Sequence, residues 1–300
     1  MPQDHEWSQW WSGHVSTDAT PSAAQLVADA LEAGQLTLPR DPSKRIARLA
    51  AWGRADPTFA RLAAGHVNAV TILAELGGPP PGRRVWGVWT VSPQSVTAAQ
   101  QRGGWMLSGL RPDCVGTDVC RRCLLTARTD AGICLYAADV ADLDVVTEIP
   151  AAADGGRTVA LSAVPGLQLG DVDAYACRPG RWRHRVEVAA CWYGGALGLA
   201  DLLPDRDRCG VADLLSVAER LLTGAAARIE TLLWSDQRAL ADHVCRGVRR
   251  VVVQVIERVE QTGPSGDRVA RRLADLRAHL HMAAPVGAGA YARGQHVAAR

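Results

Sequence analysis

Apolar positions recur three and four residues apart from Ala23 to Ala33 ("AAQLVADALEA"), and the run stops at Gly34, as helices commonly do. The stretch "DPSKRIARLAAWGRADPTFARLAAGHVNAVTILAEL" (41–76) keeps that period as two helices, each opened by an Asp-Pro pair. Aspartate caps the free amides of a first turn, and proline fits there without losing a hydrogen bond. "GGPPPGRR" (77–84) breaks the pattern. Beyond it the runs are short and β-rich: 85–91, 104–110, 122–129, 132–139, 157–164 and 166–172, separated by Gly, Pro and Asp. From Trp182 the helical period returns over 184–203, 211–234, 237–262 and 265–282, the pattern of a four-helix bundle. The expected layout is α+β and multidomain. A flexible arm (1–22) leads to a short N-terminal helical segment (23–80), a central β-barrel (84–175) and a C-terminal helical bundle (182–300).

One predicted helix is unusual. "EVAACWYGGALGLADLL" (187–203) carries Gly194, Gly195 and Gly198 in its middle, although each Gly costs a helix about 1 kcal/mol relative to Ala. A helix keeps such residues where a second helix, a ligand or another copy of the chain approaches its backbone closely.

Charge narrows the partners. A net charge of +2 over 300 residues gives no reason to expect nucleic acid or an anionic membrane. No run approaches the ~18 apolar residues of a membrane span. Lys44 is the only lysine and ten Trp outnumber one Phe, a bias of coding more than of function. "MPQDHEWSQWWSGH" lacks the basic and apolar regions of a secretory leader, so a cytoplasmic protein with reduced thiols is expected. Cys120 and Cys123, with Cys114 nearby, offer too few ligands for a structural zinc and read as buried strand thiols, so no metal is expected.

Three strings, in this order and on these element types, resemble the acyl-CoA dehydrogenase family over about residues 23–282. They are "WGVWTVSP" (86–93) with "GGWMLSGLRPDCVGTDVCRRCLLTART" (103–129), "CWYGGALGLAD" (191–201) and "RRLADLRAHLHM" (271–282). The resemblance implies a helical domain, a small barrel and a four-helix bundle, with FAD held between barrel and bundle and part of its site supplied by a second copy.

It also implies where the flavin contacts fall. Trp89, Val91 and Ser92 match the segment that supports the ring. Cys114 and Val115, after Asp113, match the segment that reaches the flavin N5. Ser92 replaces an acid, Asp113 an aromatic and Val115 a hydroxyl residue, so backbone contacts survive these changes and side-chain contacts to N5 do not. Arg206, in "RDRCG" (206–210), matches a pyrophosphate-binding arginine that reaches a neighbouring subunit. The family's usual carboxylate base falls at position 283, which is Ala. In members that place the base on the first bundle helix, Glu187 lies one residue from the required position, a turn of about 100° around the helix. His279 lies one turn beyond Asp275, where flavin monooxygenases of this fold carry an acid–base histidine.

Three functions follow from the resemblance. The first is FAD-dependent dehydrogenation of an acyl-CoA or related thioester by a homodimer or homotetramer. A flavin-dependent monooxygenase using His279 is the second. The third is a non-catalytic binding or assembly protein that keeps the fold.

Overall fold

The computed structural model describes residues 5–15, 21–90, 95–147, 149–151, 155–231, 237–262 and 266–282. The helices in chain order are α1 (His5–His14), α2 (Ala23–Glu32), α3 (Pro42–Ala55), α4 (Pro57–Glu75), α5 (Ala174–Cys177), α6 (Gly180–Ala200), α7 (Asp205–Thr231), α8 (Arg238–Thr262) and α9 (Asp267–Met282). Between α4 and α5 run β1 (Trp86–Trp89), β2 (Val96–Gln101), β3 (Gly104–Cys114), β4 (Arg122–Thr129), β5 (Gly132–Asp139), β6 (Asp144–Val145) and β7 (Arg157–Leu169). The chain divides into two compact units. A helical unit joins the residues up to Val67 with Pro179–Leu280, and a β unit is built on Asn68–Arg178.

The two Asp-Pro pairs work as the sequence predicts. Asp41 accepts from the Lys44 amide at 2.8 Å and Asp56 from the Phe59 amide at 2.7 Å, so each starts its helix with a satisfied donor. The C-terminus of α3 is closed from a distance: Arg272 of α9 donates to the carbonyls of Arg54, at 2.6 Å, and Ala55. Arg54 in turn grips Asp201 through two bonds of 2.6 and 2.8 Å.

Glycine lets α3 and α6 meet backbone to backbone. A methyl group on Gly194 would sit 2.0 Å from the Ala50 carbonyl oxygen, and one on Gly53 2.1 Å from that of Cys191. One on Gly198 would lie 2.6 Å from the Arg54 oxygen. Arg45 meets Glu187, Ala50 meets Gly194 and Arg54 meets Asp201, so the contacts advance together and the helices run parallel. Gly195 faces Leu276 of α9 instead. Close helix packing therefore accounts for the glycines of α6. The apolar stripe of α8, from Ala241 to Val259, is buried within the single chain, as are Val211, Leu215, Ala218 and Leu222 of α7. Val217 and Val253 are the large apolar residues these two helices leave exposed among the described residues.

The β unit closes on itself. Antiparallel pairs join β2 to β3, β3 to β7, β7 to β5 and β5 to β4, and a parallel contact of Thr97 with Arg128 returns β2 to β4. β1 lies parallel along β4 as an outer strand. The core holds Trp86, Leu124, Leu135, Ala137 and Leu169 against Ala69, Ile72 and Leu73 from the end of α4.

Several elements differ from the sequence expectation, four of them for identifiable reasons. The runs at 157–164 and 166–172 are one strand, because Pro165 pairs with Met106 across β3 where the ladder needs no donor from it. β2, "VTAAQQ", has no run of β-branched residues and is a strand because β3 pairs along its whole length. α7 begins at Asp205, which brings Arg206 into its first turn. The arm before residue 23 contains α1, whose Trp7 is 1% exposed against Trp52 and Phe59.

Candidate functional site

In the β unit the two segments matched to the flavin ring touch each other. The Trp89 indole N–H donates to the Val115 carbonyl at 3.1 Å. Thr126 donates to the Thr90 carbonyl at 3.4 Å, and the Thr90 hydroxyl bonds that of Tyr175 at 3.0 Å. Asp113 adopts a left-handed backbone (φ 58°) at an irregularity between Arg111 and Cys114, just before Val115.

Trp89 and Cys114 are buried, and their polar atoms are already used. The Cys114 thiol donates to the Arg111 carbonyl at 3.4 Å, and burial pushes its pKa far above the ordinary range. Burial likewise raises Cys120 to about 12 and holds Cys123 protonated. Cys114 and Cys123 are buried strand thiols as the sequence suggests, whereas Cys120 is buried in the connection between β3 and β4; no group of His, Cys, Asp or Glu suited to a metal occurs among the described residues. Val115 is half-buried. Val91 and Ser92 lie outside the described residues. The arrangement fits a flavin ring met by backbone and apolar surface, not by side-chain hydrogen bonds from Trp89 or Cys114.

The remaining candidates belong to the helical unit. Arg206 is exposed, with Asp207 3.5 Å away. Glu187 is buried, and one of its oxygens accepts from Arg45 through Nη2 at 2.6 Å and Nε at 3.1 Å. Arg183 at 3.7 Å and His184 at 3.7 Å complete the cluster. Burial alone would raise this carboxyl, but the His184 contact and the Arg45 charge outweigh it and bring the pKa down to about 2. Such a carboxylate has little affinity for a substrate proton. The cavity beside it measures about 20 Å³, room for one water and not for a thioester. Sequence inspection missed Arg45, which stands 142 residues from its partner.

His279 is buried on α9 with the Trp192 ring edge-on at 6.4 Å, and its Nδ1 has no hydrogen-bond partner. Burial, then the Arg61 charge, lowers its pKa to about 3, and burial lowers that of His66 to about 4. Both imidazoles are neutral in the fold and take up protons once unfolded, below the ordinary value of about 6.5. Their contribution to stability is complete above that pH and is lost as the pH falls toward 4 and 3. Calorimetric melting should show Tm dropping between pH 6.5 and 4, and His279→Gln should flatten that slope. An unchanged slope would place the acid sensitivity elsewhere.

No protein-family model matches the sequence, and no curated protein matches it either. Solved structures match over nearly the whole chain. A steroid acyl-CoA dehydrogenase variant superposes with a TM-score of 0.73 at 17% identity, covering 95% of this chain and 94% of its own. TdsC from Paenibacillus sp. A11-2, a dibenzothiophene monooxygenase solved with FMN and indole, gives 0.69 at 17%, covering 91% and 94%. XiaF from Streptomyces sp., in complex with FADH2 and glycerol, gives 0.69 at 15%, covering 93% and 91%. At these identities the likeness establishes the fold, and the chain has the acyl-CoA dehydrogenase-like fold.

Proposed function

We propose that this chain is a flavin-dependent oxidoreductase whose chemistry uses no carboxylate base, which favours oxygenation of a small molecule over dehydrogenation of an acyl thioester. The observation that carries the preference is the Arg45–Glu187 pair. Removing an α-proton needs a carboxylate that gains by accepting it, and Glu187 is held ionised by the guanidinium 2.6 Å away. Dehydrogenation at Glu187 would require that pair to open.

A bound flavin, FAD or FMN, would supply hydride and oxygen chemistry that no side chain provides. The Thr90 backbone and the half-buried Val115 would form its wall, with Trp89 fixing Val115 in place. Arg206, exposed in the first turn of α7, suits the pyrophosphate of FAD held by a second copy of the chain. His279, neutral with an unshared Nδ1, could hold or pass a proton once substrate or solvent reaches it. A second copy docking on α7 and α8 would meet Val217, Val253 and charged side chains, so the homodimer or homotetramer rests on resemblance more than on exposed apolar area.

Flavin binding tests the reading first. At a hundredfold excess over Kd, FMN or FAD stabilises by about 2.7 kcal/mol, which raises Tm by about 4 °C in a protein of this size. Anaerobic acyl-CoA should leave the bound flavin oxidised, while the reduced holoprotein should consume oxygen. Bleaching by acyl-CoA would return the preference to dehydrogenation. A colourless protein stabilised by neither flavin would favour the non-catalytic reading.

A further inference from the structure

The two segments assigned to the flavin wall are held in different ways. The Trp89 indole holds the Val115 carbonyl, whereas Thr90, the residue just before Val91 and Ser92, is held from outside its own strand. Thr126 of β4 donates to the Thr90 carbonyl at 3.4 Å, and the Thr90 hydroxyl donates to the phenol oxygen of Tyr175, 85 residues on, at 3.0 Å. Tyr175 lies on α5, a helix of four residues, too short to persist without tertiary support. The turn before it is tied to β5 by the Asp173 amide, which donates to the Ile133 carbonyl at 2.8 Å. The Tyr175 ring packs against the core of the β unit, and the Arg178 guanidinium lies over it at 5.4 Å. Arg178 is buried and fixed in turn by Glu75 at 2.9 Å and Asn68 at 2.8 Å, both on α4. One short helix is thus braced by β5 and α4 with its phenol oxygen on Thr90.

We propose that Tyr175 is a positioning residue for the flavin wall: its phenol oxygen fixes the Thr90 side chain and, through it, the backbone that meets the cofactor. The inference rests on the flavin reading above. Threonine is already stiff at χ1, and a bond to a braced partner, added to the one at its carbonyl, leaves residue 90 little freedom. That restraint matters here because Trp89 and Cys114 use their polar atoms inside the protein. The ring is then oriented by backbone and apolar contacts, which are precise only when the groups behind them are locked by packing and hydrogen bonds. Packing of the Tyr175 ring does not require its hydroxyl, and the half-buried Thr90 does not require its own for shape. The bond between them is what ties the wall to α5.

Fluorescence titration of the full chain with FMN and with FAD tests this. Tyr175→Phe keeps the ring under Arg178 and loses the hydroxyl. It should weaken flavin binding about fivefold, the effect of one net hydrogen bond, and alter the visible circular dichroism of the bound flavin. Thr90→Val should do the same, and the double variant should lose no more than either single one, because both changes remove one interaction. Thr90→Ser, which keeps a hydroxyl, should stay within about twofold of the parent. Thr129→Val removes hydrogen bonds of the β4–β5 turn and separates positioning from general loosening. It should lower Tm and leave flavin affinity within about twofold. Parental affinity in Tyr175→Phe, additive losses in the double variant, or an equal loss in Thr129→Val would overturn the role of Tyr175 and leave flavin binding intact. A parent that binds neither FMN nor FAD would remove the flavin reading itself, and this inference with it.

Discussion

Replacing Gly194 by Ala should cost the helical unit about 3 kcal/mol, the upper part of the usual range for overpacking, even though Ala is the better helix former. The new methyl would stand 2.0 Å from the Ala50 carbonyl oxygen, and backbone on both sides leaves no side chain to move aside. Two neighbours calibrate the effect. At Gly195 the obstacle is the Leu276 side chain, 2.6 Å from the new methyl, which can change rotamer, so the loss there should be smaller. At Gly224 in α7 nothing lies within 4 Å, so Ala should stabilise by about 0.5–1 kcal/mol through helix propensity alone. Urea denaturation of the three variants should rank Gly224→Ala above the parent, then Gly195→Ala, then Gly194→Ala. If Gly194→Ala kept parental stability but lost flavin, the glycine would serve a ligand, not the α3 contact.

Glu187→Gln should lower stability by about 3 kcal/mol, the cost of leaving one partner of a buried ion pair without its counter-charge. For a chain of this length that is about 5 °C in Tm. Arg45 would keep its 3.4 Å bond to the Pro39 carbonyl but lose the carboxylate it holds at 2.6 Å. The deficit should depend on pH with a defined sign. The folded carboxyl is depressed to about 2, so its contribution is complete above the ordinary carboxyl value of about 4.5 and is lost as the pH falls through 2. Parent and variant should therefore converge at acid pH. Replacing both partners, Arg45→Met with Glu187→Leu, should recover most of the loss, because no charge is then stranded. A general base would behave in the opposite way. Glu187→Gln would then leave stability nearly untouched and abolish reduction of the flavin by substrate.

The sequence by itself determined what neighbouring residues can encode. β4 and β5 begin and end where "RCLLTART" and "GICLYAAD" do, because each is a short apolar run joined by the Asp130–Ala131 turn. The starts of α3 and α4 were written in the Asp-Pro pairs, whose bonds span only three residues. The three glycines announced that something approaches α6. That it is α3, through the carbonyls of Ala50 and Arg54, was decided by the tertiary structure, since nothing near Gly194 in the chain records it. β2 is a strand through its neighbours more than through its composition. α1 is a helix because Trp52 and Phe59, more than forty residues on, receive Trp7. Glu187 could be nominated as a base from its place on a helix, but its proton affinity is set by Arg45, 142 residues away. Hydrogen-bonded periodicity is local and survives in the order of residues. Burial and charge pairing depend on which distant side chains meet, and only the folded chain brings them together.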